Sequence, residues 1–360
     1  MKFERVTREG TSFIRLCDDR GGYHYTQNYY TQNNWVDDDR LLLARSREFY
    51  GWEKGAEVVL VDLKNETETL LIDDANKSIW SVIVYGENIY YMRGLDLVHI
   101  DLATGARRTV WQGGEHGATE DFPPQMPHIT ADGRYINVVN RPTSYSSVKA
   151  WIIDLLTGES EMTVFPPFSP PFFLPNHIMI CPTDKDCLYF CHEGTTQYVS
   201  NRLWMWDKEK GRRLLVKQRI DEDCNLADCL GHECWCRDGK GLYYIKYPVF
   251  GKPPYGIGYV ERDDEATVPD IRYSKYRYWH VCVSPDGKRL AADTIEPNSG
   301  VCVIDVETGE ERCLLHTGPD RSDPTHPHPC FSPSSRRLCF QDHREVNGEA
   351  EMVGVGIIDL

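Results

Sequence analysis

The sequence predicts an all-β fold, a seven-bladed β-propeller whose last blade is closed by an N-terminal strand. Three observations carry that expectation. A strand–turn–strand pattern recurs seven times, a second such signature follows most copies, and the chain stops one strand short of completing its last unit. Helix patterns are scarce throughout.

The recurring pattern is a short apolar strand, a polar turn, and a strand rich in Tyr, Ile, Leu and Val. In chain order it reads "NNWVDDDRLLLAR", "SVIVYGENIYYMR", "PHITADGRYINVV", "IMICPTDKDCLYF", "ECWCRDGKGLYYI", "VCVSPDGKRLAAD" and "PCFSPSSRRLCFQ". The turns recur at roughly 50 residues, the length of a four-stranded propeller blade. Third and fourth strands follow in "VVLVDLKNETETLL", "LVHIDLATGARRTVW", "WIIDLLTGESEMTVF", "LWMWDKEKGRRLLV" and "VCVIDVETGEERCLL". Seven units fill residues 1–360, so one domain is expected, not two. The last unit ends at "VGVGIIDL", which matches a third strand, and the N-terminal "SFIRLCDD" has the character of the missing fourth. Joining them removes an open sheet edge between the chain ends.

Composition narrows the setting. With 41% hydrophobic and 11% aromatic residues, 360 residues can bury a large core. The start, "MKFERVTREG", has no apolar signal core, and no stretch approaches the roughly 18 uncharged apolar residues of a membrane span. A cytoplasmic protein with no membrane partner is expected. Thirteen cysteines, an odd number in a long chain without an export signal, read as reduced thiols. Cys224, Cys229, Cys234 and Cys236 lack the paired CxxC spacing of a structural zinc site. A formal charge of −15 repels nucleic acid and anionic membranes, so neither is an expected partner. An anionic substrate stays open, provided that specific cations are found for it. Nothing in the sequence specifies an oligomeric state.

The histidines supply the chemistry. In "DPTHPHPCFSPSS", residues 323–335, His326 and His328 are two apart, and extended backbone points both rings to one side, as a metal ion requires. Six residues before the turn, four successive blades carry histidine: His177, His232, His280 and His328. The first strand of a blade is the innermost, so this ring is expected at one mouth of the central channel. Connections from second to third strands open on the same face, and "CHEGTTQYVSNR" brings His192 and Arg202 there. A guanidinium in that place suits a carboxylate.

"FCHEG" at 190–194, "NRLWMW" at 201–206, "GHECW" at 231–235, "YWHVCVSPDG" at 279–288 and "THPHPCFSP" at 325–333 together resemble the oligogalacturonate lyases, cytoplasmic pectin-degrading enzymes with a seven-bladed propeller. The likeness is clear over about residues 175–335 and patchy in blades one to three. It implies that His280, His326 and His328 bind a divalent metal, usually manganese (Mn2+). It implies further that His232 is the catalytic base, with Arg202 at an acidic oligosaccharide substrate and His177 and His192 lining its site. Two departures stand out. Asp323 takes the place of the family's glutamine ligand; it is expected to supply oxygen, strengthen a hard cation and weaken the pull on a substrate carboxylate. The stretch from Arg202 to His232, with "DEDCNLADCL", is longer than usual for the family, which would reshape the pocket.

The implied reaction is β-elimination from a 4-linked galacturonate oligosaccharide to a 4,5-unsaturated uronate. A lyase for another polyuronide, such as rhamnogalacturonan or ulvan fragments, would share that chemistry. A non-catalytic protein-binding propeller would have no need of histidines in register. A propeller-linked serine hydrolase would need a nucleophile elbow, and the chain has no GxSxG.

Overall fold

Strand after strand follows the repeat. The computed structural model describes residues 1–360 apart from 20, 48–55, 77–80, 122, 141, 143–144, 297, 319–325 and 347–348. Among the described residues, six four-stranded sheets and one five-stranded sheet form the seven blades of the predicted propeller. Among the described residues the only helical element with assigned bounds is a 3-10 turn at Gly113–His116. No helix among them is long and apolar enough to cross a membrane. The thirteen cysteines stand as thiols.

Patterning explains which strands lie deep. In blade five, Gly241–Lys246 is buried at every position, as expected of a strand covered on both faces. In blade three, the outer strand Ser160–Phe165 is largely exposed. The polar turns between first and second strands need a left-handed residue, and Gly239 and Gly287 supply it at φ 67° and 71°.

The last blade closes as expected. Its strand order is Lys2–Arg8, Thr11–Cys17, Glu349–Asp359, Arg337–Val346, Cys330–Phe331, with Phe13 opposite Ile358 and Leu16 opposite Val355. The sequence reading missed the fifth, outermost strand Lys2–Arg8. It hairpins onto Thr11–Cys17 through Glu9 and Gly10, both at positive φ (51° and 82°), the backbone of a two-residue hairpin turn.

Blade one differs from the expectation. Its innermost strand is His24–Thr26, paired with Arg40–Ser46, whereas "NNWV" contributes only a bridge from Trp35 to Leu41. Between them runs "QNYYTQNN", whose Gln27, Asn28, Gln32 and Asn34 are all buried. So polar a run reads as solvated. It is buried because partners exist for its amides: Gln27 Nε2 donates to the carbonyls of Pro327 and His328, both at 2.6 Å.

The chain divides into two compact units, Met1–Arg93 with Val98–Arg108 and His280–Leu360, and Gly94–Leu97 with Thr109–Trp279. In the first, Leu16, Trp35, Leu41, Cys339 and Ile357 pack together, and Phe13, Leu338 and Phe340 form a second cluster. In the other, the core centres on Tyr189, Leu203, Met205, Tyr244 and Val260. Each large apolar side chain so buried contributes about 1.5–3 kcal/mol.

Candidate active site

The histidine register is a backbone equivalence, with one exception. His177, His232 and His328 adopt φ of 48°, 51° and 43°, the left-handed region that residues other than glycine seldom enter. In blades four and five the strand register slips at that point, between Asn176 and Met179 and between Gly231 and Cys234. Such a bulge re-aims a side chain away from the plain alternation of a strand. His280 is not among the left-handed residues. It lies in the strand Arg277–Val283, and its backbone N–H donates to Asp293 Oδ1 at 2.7 Å.

In the first unit, His280, His326 and His328 are all buried and each offers a ring nitrogen within 4.8 Å of the others. The ring centroids of His280 and His328 are 4.2 Å apart, and those of His280 and His326 5.2 Å. Asp293 orders this group from behind. His280 Nδ1 donates to its Oδ2 at 2.9 Å and the backbone N–H of His328 to the same oxygen at 3.0 Å. That bond holds the His280 proton on Nδ1 and turns Nε2 outward as a ligand, the usual carboxylate support of a metal-binding imidazole. Burial pushes the Asp293 carboxyl up to about 6. Tyr29 and Tyr30 wall the group, Tyr30 at 4.8 Å from His280 and Tyr29 at 5.1 Å from His328 between ring centroids. Three imidazoles oriented by a buried carboxylate fit a divalent ion of the first transition row. Asp323 lies outside the described residues.

In the second unit, Arg202 is only 4% exposed. Its backbone N–H donates to Gln218 Oε1 at 2.7 Å and its Nη1 to the Gly194 carbonyl at 2.9 Å, while Nη2 lies 3.5 Å from Glu193 Oε1. Its Nε has no hydrogen-bond partner among the described residues. Burial would raise the Glu193 carboxyl, but the charges of Arg202 and His177 and a bond from Asn176 hold it at about 2. His177 Nδ1 lies 3.3 Å from Oε2 of the fully buried Glu233. Against burial, His177 and Arg202 keep that carboxyl below its ordinary range.

His232 Nδ1 donates to the Trp279 carbonyl at 2.5 Å, which fixes the ring proton there and leaves the lone pair on Nε2. Its ring stands edge-on to Tyr247 at 5.0 Å and Trp279 at 5.5 Å. Burial raises the Tyr247 phenol well above its usual value, against the charge of Arg202. Gly231 makes room for that phenol: a Cβ there would sit 2.2 Å from Tyr247 Oη.

His192 is held by its own surroundings. Its Nε2 donates to the Phe172 carbonyl at 2.6 Å and its ring stacks on Phe168 at 3.8 Å. Burial lowers its pKa. The connection that carries both residues thus delivers Arg202 to the carboxylate cluster and seats His192 between Phe168 and the Phe172 carbonyl.

The long stretch before His232 is anchored, not loose. Buried Asp228 accepts from fully buried Lys246 at 2.6 Å and from Arg219 at 2.7 and 2.8 Å. Burial would raise Asp228, yet these two cations hold it at about 2. Gln218 donates to the Asp228 carbonyl and accepts from Arg202, so the anchor reaches the guanidinium through one side chain. Sequence reasoning missed Asp293, Glu233, Glu193, Tyr247 and the Tyr29–Tyr30 wall. A signal existed for two: Asp293 follows the apolar run "LAA" within Arg289–Glu296, and Glu233 adjoins the in-register His232 within Leu230–Trp235.

Comparison with known proteins agrees with the resemblance in the sequence. No family model matches the chain. It is 23% identical to an oligogalacturonide lyase of Pectobacterium atrosepticum, over 94% of this chain and 92% of that protein. To an oligogalacturonate lyase of Dickeya dadantii it is 22% identical over the same shares. The solved structure of an oligogalacturonate lyase in complex with manganese matches with a TM-score of 0.77 and 18% identity, covering 100% of this chain and 96% of that one. The likeness extends through blades one to three as well, where the sequence motifs were patchy.

Proposed function

We propose that this chain is a metal-dependent polysaccharide lyase that cleaves 4-linked galacturonate oligosaccharides by β-elimination, leaving a 4,5-unsaturated uronate. The observation that carries this reading is the convergence of His280, His326 and His328 over Asp293, in a chain similar along its length to oligogalacturonate lyases. One domain over residues 1–360, a cytoplasmic setting and an acidic oligosaccharide substrate belong to the same reading.

His280, His326 and His328 would hold a divalent cation; manganese follows from the likeness, while three imidazoles also accept zinc or nickel. When bound, the cation supplies Lewis acidity that offsets charge building on a uronate carboxylate. Asp293 and Gln27 keep the ligand rings and the 327–328 backbone in place. Arg202 pairs with a uronate carboxylate, and its unpartnered Nε supports that role, since a buried donor without a partner costs stability unless a ligand satisfies it. Glu193 and Glu233 keep the guanidinium charged and fixed. His232 takes the C5 proton at Nε2, because the Trp279 carbonyl holds its own proton on Nδ1. The C4–O4 bond then breaks as the C4–C5 double bond forms; the departing oxygen leaves with the bonding pair and gains one proton, which balances the one taken from C5, and no water is consumed. His177 lines the substrate site on Glu233, and His192 shapes the loop that carries Arg202.

A panel of uronide oligosaccharides incubated with the protein and manganese tests this reading. Galacturonate oligomers should yield the ultraviolet absorbance of an unsaturated uronate, and a chelator should abolish it. No absorbance from any member of the panel would sink the proposal. A response confined to rhamnogalacturonan or ulvan fragments would keep the chemistry and change the substrate.

A further inference from the structure

The outermost strand of blade six, Glu311–Gly318, carries a histidine that the lyase chemistry leaves unused. Cys313 and His316 are three residues apart on it, a spacing that sends side chains to opposite faces of a regular strand. Register against Ser299–Asp305 removes the conflict. Val301 stands opposite Leu315 but Cys302 opposite Cys313, so Leu314 is a bulged residue and the alternation shifts by one. Cys302, Cys313 and His316 therefore share one face. Gly300, opposite His316, leaves room for them, since a Cβ there would lie 3.2 Å from both Cys313 Sγ and His316 Cδ2.

Within that space Cys313 Sγ lies 3.8 Å from His316 Nε2, and Glu9 Oε2 accepts from His316 Nδ1 at 3.0 Å and from the His316 backbone N–H at 3.1 Å. Glu9 comes from the hairpin turn of the first two strands. The flanks of that turn are docked on the same strand by Thr11 Oγ1 to the Leu314 carbonyl at 2.6 Å and by Arg8 Nη1 to the His316 carbonyl at 3.2 Å. Thiol, imidazole and carboxylate in that order are the arrangement that activates a nucleophilic sulfur.

We propose that Cys313 is an oxidant-reactive thiol, that Cys302 is its resolving partner, and that small peroxides are its substrate class. Hydrogen bonding to Cys302, aided by the charge of His316, draws the Cys313 thiol below its ordinary value against burial. Burial drives Cys302 well above its usual value. Cys313 is half-buried and Cys302 fully buried, so oxidant meets Cys313 first. His316 Nε2 takes the Cys313 proton. The thiolate attacks one peroxide oxygen, the O–O bond breaks, and hydroxide leaves with the proton from His316, giving a sulfenic acid and water. Cys302 sulfur then attacks Cys313 Sγ; the S–O bond breaks, water leaves, and a disulfide remains. Two thiols lose two electrons and one peroxide gains them. Residues directly opposite on antiparallel strands have Cα atoms about 4.5–5.5 Å apart, within the roughly 4.4–6.8 Å that a disulfide spans.

Two measurements on the reduced full chain test this. Iodoacetamide labelling, read per cysteine by mass spectrometry against exposed Cys224, should level off for Cys313 about one pH unit or more below the roughly 8.5 of an ordinary thiol. His316→Gln should move that midpoint up by about a unit, and Glu9→Gln, at a half-exposed turn position, supplies the same readout should His316→Gln melt early. Equimolar hydrogen peroxide followed by trypsin, which cuts after Arg312, should link the Cys302 and Cys313 peptides. In Cys302→Ser, dimedone should instead trap Cys313. Labelling of Cys313 that rises in parallel with Cys224, with the two peptides unlinked after peroxide, overturns the proposal. Linkage among other cysteines with this pair untouched overturns it equally.

Discussion

His328 in the first unit and His232 in the second sit on nearly the same backbone, with φ of 43° and 51°, yet their surroundings differ in kind. Around His328 lie two further imidazoles, two tyrosines and a carboxylate that accepts hydrogen bonds from His280 and from the His328 backbone N–H. His232 has a backbone carbonyl behind Nδ1 and the rings of Tyr247 and Trp279 beside it. The left-handed residue aims the ring, with a strand bulge beside it at His232; the groups around the ring decide its role. A metal-bound imidazole has no lone pair left for a proton, so a base must stand apart from the ligands.

The largest effect should come from removing a ligand. His326→Ala should lower elimination by about a thousandfold or more, the loss of several kcal/mol of Lewis-acid assistance, and metal content should fall with it. Normal activity in metal-replete buffer would dissolve the contrast between the two regions.

Arg202→Lys sharpens it from the other side. Lysine keeps the charge but loses the planar fork and the Nε donor, so kcat/KM should drop roughly 10- to 100-fold with metal content unchanged. Loss of metal in this variant would mean that the regions do not act separately. Asp293→Asn retains the size of the group behind His280 and removes its charge. Metal affinity by titration should weaken about 10- to 100-fold, with the fold intact by circular dichroism. Unchanged affinity would show that the carboxylate merely fills space.

The smallest effect concerns acid stability of the second unit. The Asp228 carboxyl is held down at about 2 by Arg219 and Lys246, so its contribution is present above the unfolded value near 4 and is lost as pH falls through about 2. Urea midpoints should decline across that window, and Asp228→Asn should flatten the decline while lowering stability at neutral pH. A decline of the same depth in both proteins would remove Asp228 as its source.

Much of this was legible because repetition is a local signal. Each blade announces itself within about 13 residues of alternating and turn-forming sequence, and equal spacing of His232, His280 and His328 follows from counting along the repeat. Lys2–Arg8 escaped because a solvent-edge strand with charged alternate residues resembles any polar segment. The buried run after Thr26 escaped because its amides are satisfied by carbonyls of Pro327 and His328, some 300 residues away. Asp293, Glu233 and Glu193 escaped for the same reason. A buried carboxylate is identified by its partner, and partner spacings of 13, 56 and 9 residues have no period to find. His280 corrects the register itself: its count from the turn matches the others, but its backbone answers to Asp293.

The division of labour between base and ligands is tested most directly by metal content and turnover of His232→Ala, measured on one preparation. Elimination should fall by roughly 10²- to 10⁴-fold, the contribution of a general base, while bound metal and melting temperature stay near those of the unaltered protein. Loss of the metal together with activity would make His232 a ligand, and near-normal turnover would pass the proton to another group; either result contradicts the account.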